Sequence, residues 1–139
     1  MQNFTLYLDA KFSDNEKKES YSTAKRMLKI YNTVRSKGIS SLKDETAEDN
    51  EFIKIGVNLM LEGLTGDELE KILQNIIWSG GYTGSELLKR LIIMQTLIEI
   101  INIYPYFHYH NTAIISNIVG ALLGEEYILE IAETNQIEL

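Results

Sequence analysis

From Ser13 onward, apolar residues return at steps of three and four through most of the chain. This spacing places them on one face of a helix. In the first such run, Tyr21, Ala24, Leu28, Tyr31 and Val34 form the stripe. Ser13 and Glu16 match the S/T-x-x-E box that starts helices, and Gly38 suits a C-terminal stop. A second helix is predicted from about Glu48 to Glu62, burying Phe52, Ile55 and Leu59 and ending at Gly63. A third is predicted over 66–78, with Leu69, Ile72, Leu73 and Ile76 inward, broken by Gly80-Gly81. Between the first two, "ISSLKDETAEDN" reads as a connection.

The segment "SELLKRLIIMQTLIEIINIYPYF" is the most apolar. Lys89, Arg90 and Glu99 interrupt it, and a membrane span needs roughly 20 residues with few charges. Gln95, Glu99 and Asn102 recur at helical spacing and form one polar stripe. A central buried helix with a narrow wet face is therefore expected, ended by Pro105. "TAIISNIVGALLG" and "EEYILEIAE" predict two further helices, and "FTLYLDAKF" a short N-terminal strand or arm. The fold class is all-α: one domain over residues 1–139, a compact bundle of five or six helices.

Two stretches nearly repeat, "TGDELEKIL" (Thr65 to Leu73) and "TGSELLKRL" (Thr83 to Leu91). Neither carries the G-x-x-x-x-G-K-[ST] pattern of a phosphate loop, and no strand is expected before either. Thr65 with Glu68, and Thr83 with Glu86, each fit a capping box, so both copies read as helix starts.

Charge adds an asymmetry. The net charge of the 139 residues is −7. Residues 1–45 carry nine Lys/Arg against six Asp/Glu, net +3, and residues 46–139 carry four against fourteen, net −10. The acidic remainder argues against nucleic acid as a partner, since phosphate binding needs a basic face. The basic part, with Lys25, Arg26, Lys29, Arg35 and Lys37 on the first long helix, suits an acidic protein surface. There is no cysteine, which excludes disulfides and thiolate chemistry and fits a reducing cytoplasm. No signal peptide pattern opens the chain.

Candidate chemistry is sparse. "YPYFHYHN" places His108 and His110 two apart among four aromatic side chains, and on a strand they would share a face. Two ligands do not complete a metal site, and no partner motif accompanies them. A packed aromatic connection is the simpler reading, with a small metal- or ligand-binding protein or enzyme as the alternative. Glu125-Glu126 and Asp44-Glu45 suit helix dipoles, and the single Trp78 suits packing.

The run "VRSKGISSLKDE…NEFIKIGVNLMLEGLTGDELEKIL" resembles the cytoplasmic segment of the MotA family, the ion-driven stator of the bacterial flagellar motor. The matching positions are Arg35, Gly38, Ile39, Leu42, Asp49, Phe52, Gly56, Leu59, Gly63, Glu68, Leu69, Ile72 and Leu73. The resemblance covers about residues 21–77. A weaker echo follows at Pro105, Phe107 and Thr112. Two features depart from the family pattern. Lys43 stands where the family has a Glu that contributes to rotor contact, and His108 to Asn111 replace glycines. No counterpart of the family's two preceding membrane helices is seen, so neither a span nor ion conduction is expected. The resemblance implies a cytoplasmic, non-enzymatic protein-interaction domain without a cofactor, serving as a flagellar-motor accessory. Arg35, Lys37 and Lys43 would meet an acidic partner. A homo-oligomeric module burying the apolar surface of residues 87–123 is the other alternative.

Overall fold

Ser13 opens the first helix by a reciprocal exchange. Its hydroxyl accepts the Glu16 N–H at 3.1 Å, and the Glu16 carboxylate accepts the Ser13 N–H at 2.8 Å. A computed structural model describes residues 12–104 and 122–124, and the statements below concern those residues. Helix α1 (Asp14–Glu19) runs into Ser20, which is buried and caps it, and then into α2 (Tyr21–Lys37). The predicted α2 stripe is buried at Ala24, Leu28, Tyr31 and Val34, with Met27 and Ile30 added and Tyr21 packed at its edge. Gly38 stops the helix at φ 89°, a left-handed value that an L side chain rarely adopts.

The connection after Gly38 is more ordered than its composition implies. It forms a 3-10 turn (Ile39–Ser41) and α3 (Leu42–Glu45). Leu42 is fully buried, and the buried Thr46 hydroxyl donates to the Leu42 carbonyl at 2.7 Å. One apolar anchor and one satisfied hydroxyl therefore tie this stretch to the core.

Helix α4 (Glu51–Leu61) starts three residues later than predicted, because Asn50 caps it by accepting the Ile53 N–H at 3.0 Å. Its inward face also differs. Phe52, Ile53, Gly56, Val57 and Met60 are buried, whereas Ile55 is exposed and Leu59 only half-buried. The apolar residues of α4 cover more than one face, and Gly56 decides which one turns inward. A Cβ there would overlap the Leu97 side chain, so the glycine lets α4 sit close against the central helix. Helix α5 (Gly66–Gly80) shows a similar shift: Leu69, Leu73, Gln74 and Ile77 are buried, Ile72 is exposed and Ile76 half-buried. Gly81 caps it in the left-handed conformation.

Helix α6 (Gly84–Ile103) is the hub, touching α1, α2, α4 and α5. Nine of its apolar side chains are buried, against six on α2. At about 1.5–3 kcal/mol per buried Leu, Ile or Met, α6 holds the largest share of the hydrophobic stabilisation. Its expected polar stripe is present: Gln95 and Glu99 are half-buried and Asn102 exposed. It ends at Ile103, with Tyr104 extended as a residue before proline prefers.

The described residues form an all-α bundle of six helices with no strand among them. None of these helices is long and apolar enough to cross a membrane. The expected N-terminal strand or arm, the aromatic connection with His108 and His110, and most of the two last predicted helices lie outside the described residues.

Candidate functional site

The three predicted contact residues gather around one turn. Arg35 and Lys37 occupy the last turn of α2, and Lys43 the first turn of α3, on either side of Gly38 and the 3-10 turn. All three are exposed, and none forms a salt bridge among the described residues. Arg35 also acts inward. Burial pushes the Tyr31 phenol pKa up, the charge of Arg35 opposes this, and Glu99 on α6 reinforces it. Arg35 thus lies within electrostatic reach of a buried tyrosine that Glu99 also influences.

Arg26 leaves the basic face. Its guanidinium turns onto Asp49 and Glu45 and locks α2 to the connection. The solvated basic helix read from the sequence is thus divided: Arg26 is structural, and Arg35 and Lys37 remain available.

The structure adds a groove that sequence reasoning did not single out. It has a volume of about 330 Å³ and is walled by α2, the first turn of α4, α5, the α5–α6 turn and α6. Tyr82 and Arg90 form one side, with the guanidinium carbon 3.6 Å from the ring centroid and 5.9 Å from that of Phe52. Glu86 accepts from Arg90 Nη1 at 3.1 Å and from Lys89 Nζ at 3.3 Å. Those hydrogen bonds, Arg90's first, hold the Glu86 carboxyl below its ordinary pKa. The Glu86–Arg90 pair was legible as an i, i+4 spacing. The stack on Tyr82 depends on how the Gly81 turn returns the chain and has no sequence signature.

Among the described residues, no group of three or more His, Cys, Asp or Glu side chains could hold a metal ion. His108 and His110 lie outside them. Trp78, expected to pack, is 63% exposed at the end of α5.

No family model, curated protein or solved structure matches the chain. The positions that carry the stator resemblance mostly serve this fold. Gly38 and Gly63 take left-handed turns, Gly56 permits a close helix approach, and Leu42, Phe52, Leu69 and Leu73 are core. Asp49 binds Arg26, and Glu68 caps α5. Of the charged residues in the pattern, Arg35 is exposed and makes no such bond.

Proposed function

We propose that this chain is a non-enzymatic protein-interaction domain that meets an acidic partner surface through Arg35, Lys37 and Lys43. The observation that carries the reading is that these cations flank one turn, exposed and without a carboxylate partner among the described residues. Net charge elsewhere in the chain is negative, so the corner is a local positive field that steers an acidic partner to one place. The more specific form, supported by the stator-like residues, is a flagellar-motor accessory working in the cytoplasm.

Binding to purified flagellar rotor components tests the specific form, and capture from a lysate at low salt tests the general one. Arg35→Glu combined with Lys43→Glu should weaken capture at least about tenfold and reduce its salt dependence, because charge pairs at an interface set both. Melting should stay nearly unchanged. Unaltered capture by the folded double variant would overturn the reading. A homo-oligomeric module is the second reading, favoured by the exposed Trp78, a residue type that often anchors interfaces. A strict monomer in light scattering at high concentration would remove it.

A further inference from the structure

Helix α5 leaves two large apolar side chains in solvent, Ile72 at 36% and Trp78 at 63% exposure. Asn75 stands midway between them and is exposed, as are Lys71 and Ser79 on either side. Residues three and four apart share a helix face, so these five form one outward strip. At about 100° per residue, Asn75 lies about 200° around the helix from the buried Leu73. The strip is therefore the outermost surface of α5, turned away from the core.

The strip is symmetric about Asn75. When two α5 helices pair antiparallel with Asn75 at the centre, residues equally far from it on opposite sides face each other. Ile72 then meets the partner's Trp78, twice in the pair, and Lys71 meets the partner's Ser79. A closed two-fold dimer needs a self-complementary patch of this kind. An Asn amide holds both donor and acceptor, so two Asn75 side chains can exchange hydrogen bonds across the axis. Charge selects the same direction. Antiparallel register brings no like charges together along α5, whereas parallel register would set Lys71 on Lys71 and Glu68 on Glu68. The apolar side chains of α6, by contrast, are mostly buried in the monomer's own core.

We propose that two copies of this chain pair through the outward face of α5, antiparallel about a two-fold axis at Asn75, with Ile72 and Trp78 packed reciprocally. The inference rests on the homo-oligomeric reading and places its interface on α5 rather than on residues 87–123. One helix face buries less than a standard interface, so the dimer is weak and depends on concentration.

Sedimentation equilibrium of the full chain from about 10 μM to 1 mM should show monomer and dimer in exchange, a range that reads micromolar to millimolar Kd values. Trp78 is the single tryptophan, so its fluorescence reports this face alone. Its emission should move to shorter wavelength, and acrylamide quenching should fall, as dimer forms. Ile72→Glu should weaken the dimer at least about tenfold and cancel the fluorescence change, because the two-fold axis applies the substitution twice. Its melting should stay nearly unchanged, since the side chain is exposed. Arg35→Glu should leave the dimer intact, which separates this face from the contact corner. The chain has no cysteine, so Asn75→Cys supplies a sole thiol at the axis, and oxidation should link that variant into a covalent dimer. Lys71→Cys should link far less, because its two copies would stand about 12 Å apart along the paired helices, beyond disulfide reach. A strict monomer at about 1 mM would overturn this proposal together with the homo-oligomeric reading. A dimer that survives Ile72→Glu, that is lost in Arg35→Glu, or that links as readily through Lys71→Cys as through Asn75→Cys would overturn the α5 interface and leave that reading standing.

Discussion

The Arg26 guanidinium grips the Asp49 carboxylate at two points, with Nε 3.0 Å from Oδ1 and Nη2 2.6 Å from Oδ2. The remaining donors reach Glu45, its carboxylate at 3.2 Å and its carbonyl at 2.9 Å. The Asp49 hydrogen bond is the main cause of the raised Arg26 pKa. The side chains of the pair are only 25% and 16% exposed, so solvent weakens the clamp less than it would a surface pair.

Arg26→Met keeps the aliphatic stem and removes the fork. It should destabilise the fold by about 1.5–3 kcal/mol, the scale of hydrogen bonds to charged groups. Arg26→Lys should recover only part of this, because an ammonium cannot bridge both oxygens and the Glu45 carbonyl. Urea denaturation of the three proteins measures it, and a loss below about 0.5 kcal/mol for Arg26→Met would reduce the clamp to a surface pair.

Thr65 and Thr83 occupy matching places in the near-repeat, yet only Thr65 caps. Its hydroxyl accepts the Glu68 N–H at 3.2 Å and Glu68 returns the bond at 2.9 Å. At the second copy Gly84 is left-handed at φ 57°, and Glu86 is engaged by Arg90 and Lys89. Thr65→Ala should therefore cost about 1 kcal/mol, and Thr83→Ala should cost little. Thermal melting of both variants is sufficient, and equal losses would contradict the difference in geometry.

This pair shows what the sequence discloses and what it hides. The all-α class, the α2 stripe, the α6 polar stripe and the stops at Gly38 and Gly63 follow from local spacing, and all are present, whereas the break at Ser20 and the short α3 were not expected. Ile55 and Ile72 were misplaced because α4 and α5 have more apolar residues than one face can bury, and contact with α6 settles the rotation. Thr83 was misread because Arg90 competes for Glu86, while the first copy has Ile72 at the equivalent position. The charge and exposure of Arg35 were legible. The groove was not, since Thr23, Asn50 and Tyr82 meet there only through tertiary packing.

Gly56 and Leu97 make a steric prediction. Alanine is favoured over glycine by about 1 kcal/mol within a helix, but the added methyl would overlap a fully buried Leu97. Overpacking costs about 1–3 kcal/mol, so Gly56→Ala should be destabilising on balance. In a Leu97→Ala background the overlap disappears and the same substitution should become neutral or stabilising. A double-mutant cycle by urea denaturation reads the coupling, and simple additivity would show that α4 yields without cost.

Glu86 predicts a pH dependence. Hydrogen bonds from Arg90, then Lys89, lower its folded pKa below the ordinary 4.5. A depressed carboxylate contributes stability above its unfolded pKa and loses it as pH falls through the folded value. The side chain is 56% exposed, so solvent screening keeps the contribution under about 1 kcal/mol. Wild type should therefore exceed Glu86→Gln by a small, constant margin at neutral pH. That margin should shrink as pH drops below 4.5 and vanish once Glu86 is protonated in both folded and unfolded chains. Denaturation midpoints across this window measure it. A margin that persists unchanged into strong acid would mean that the carboxylate charge does not hold Arg90 in place, and that stacking on Tyr82 alone does.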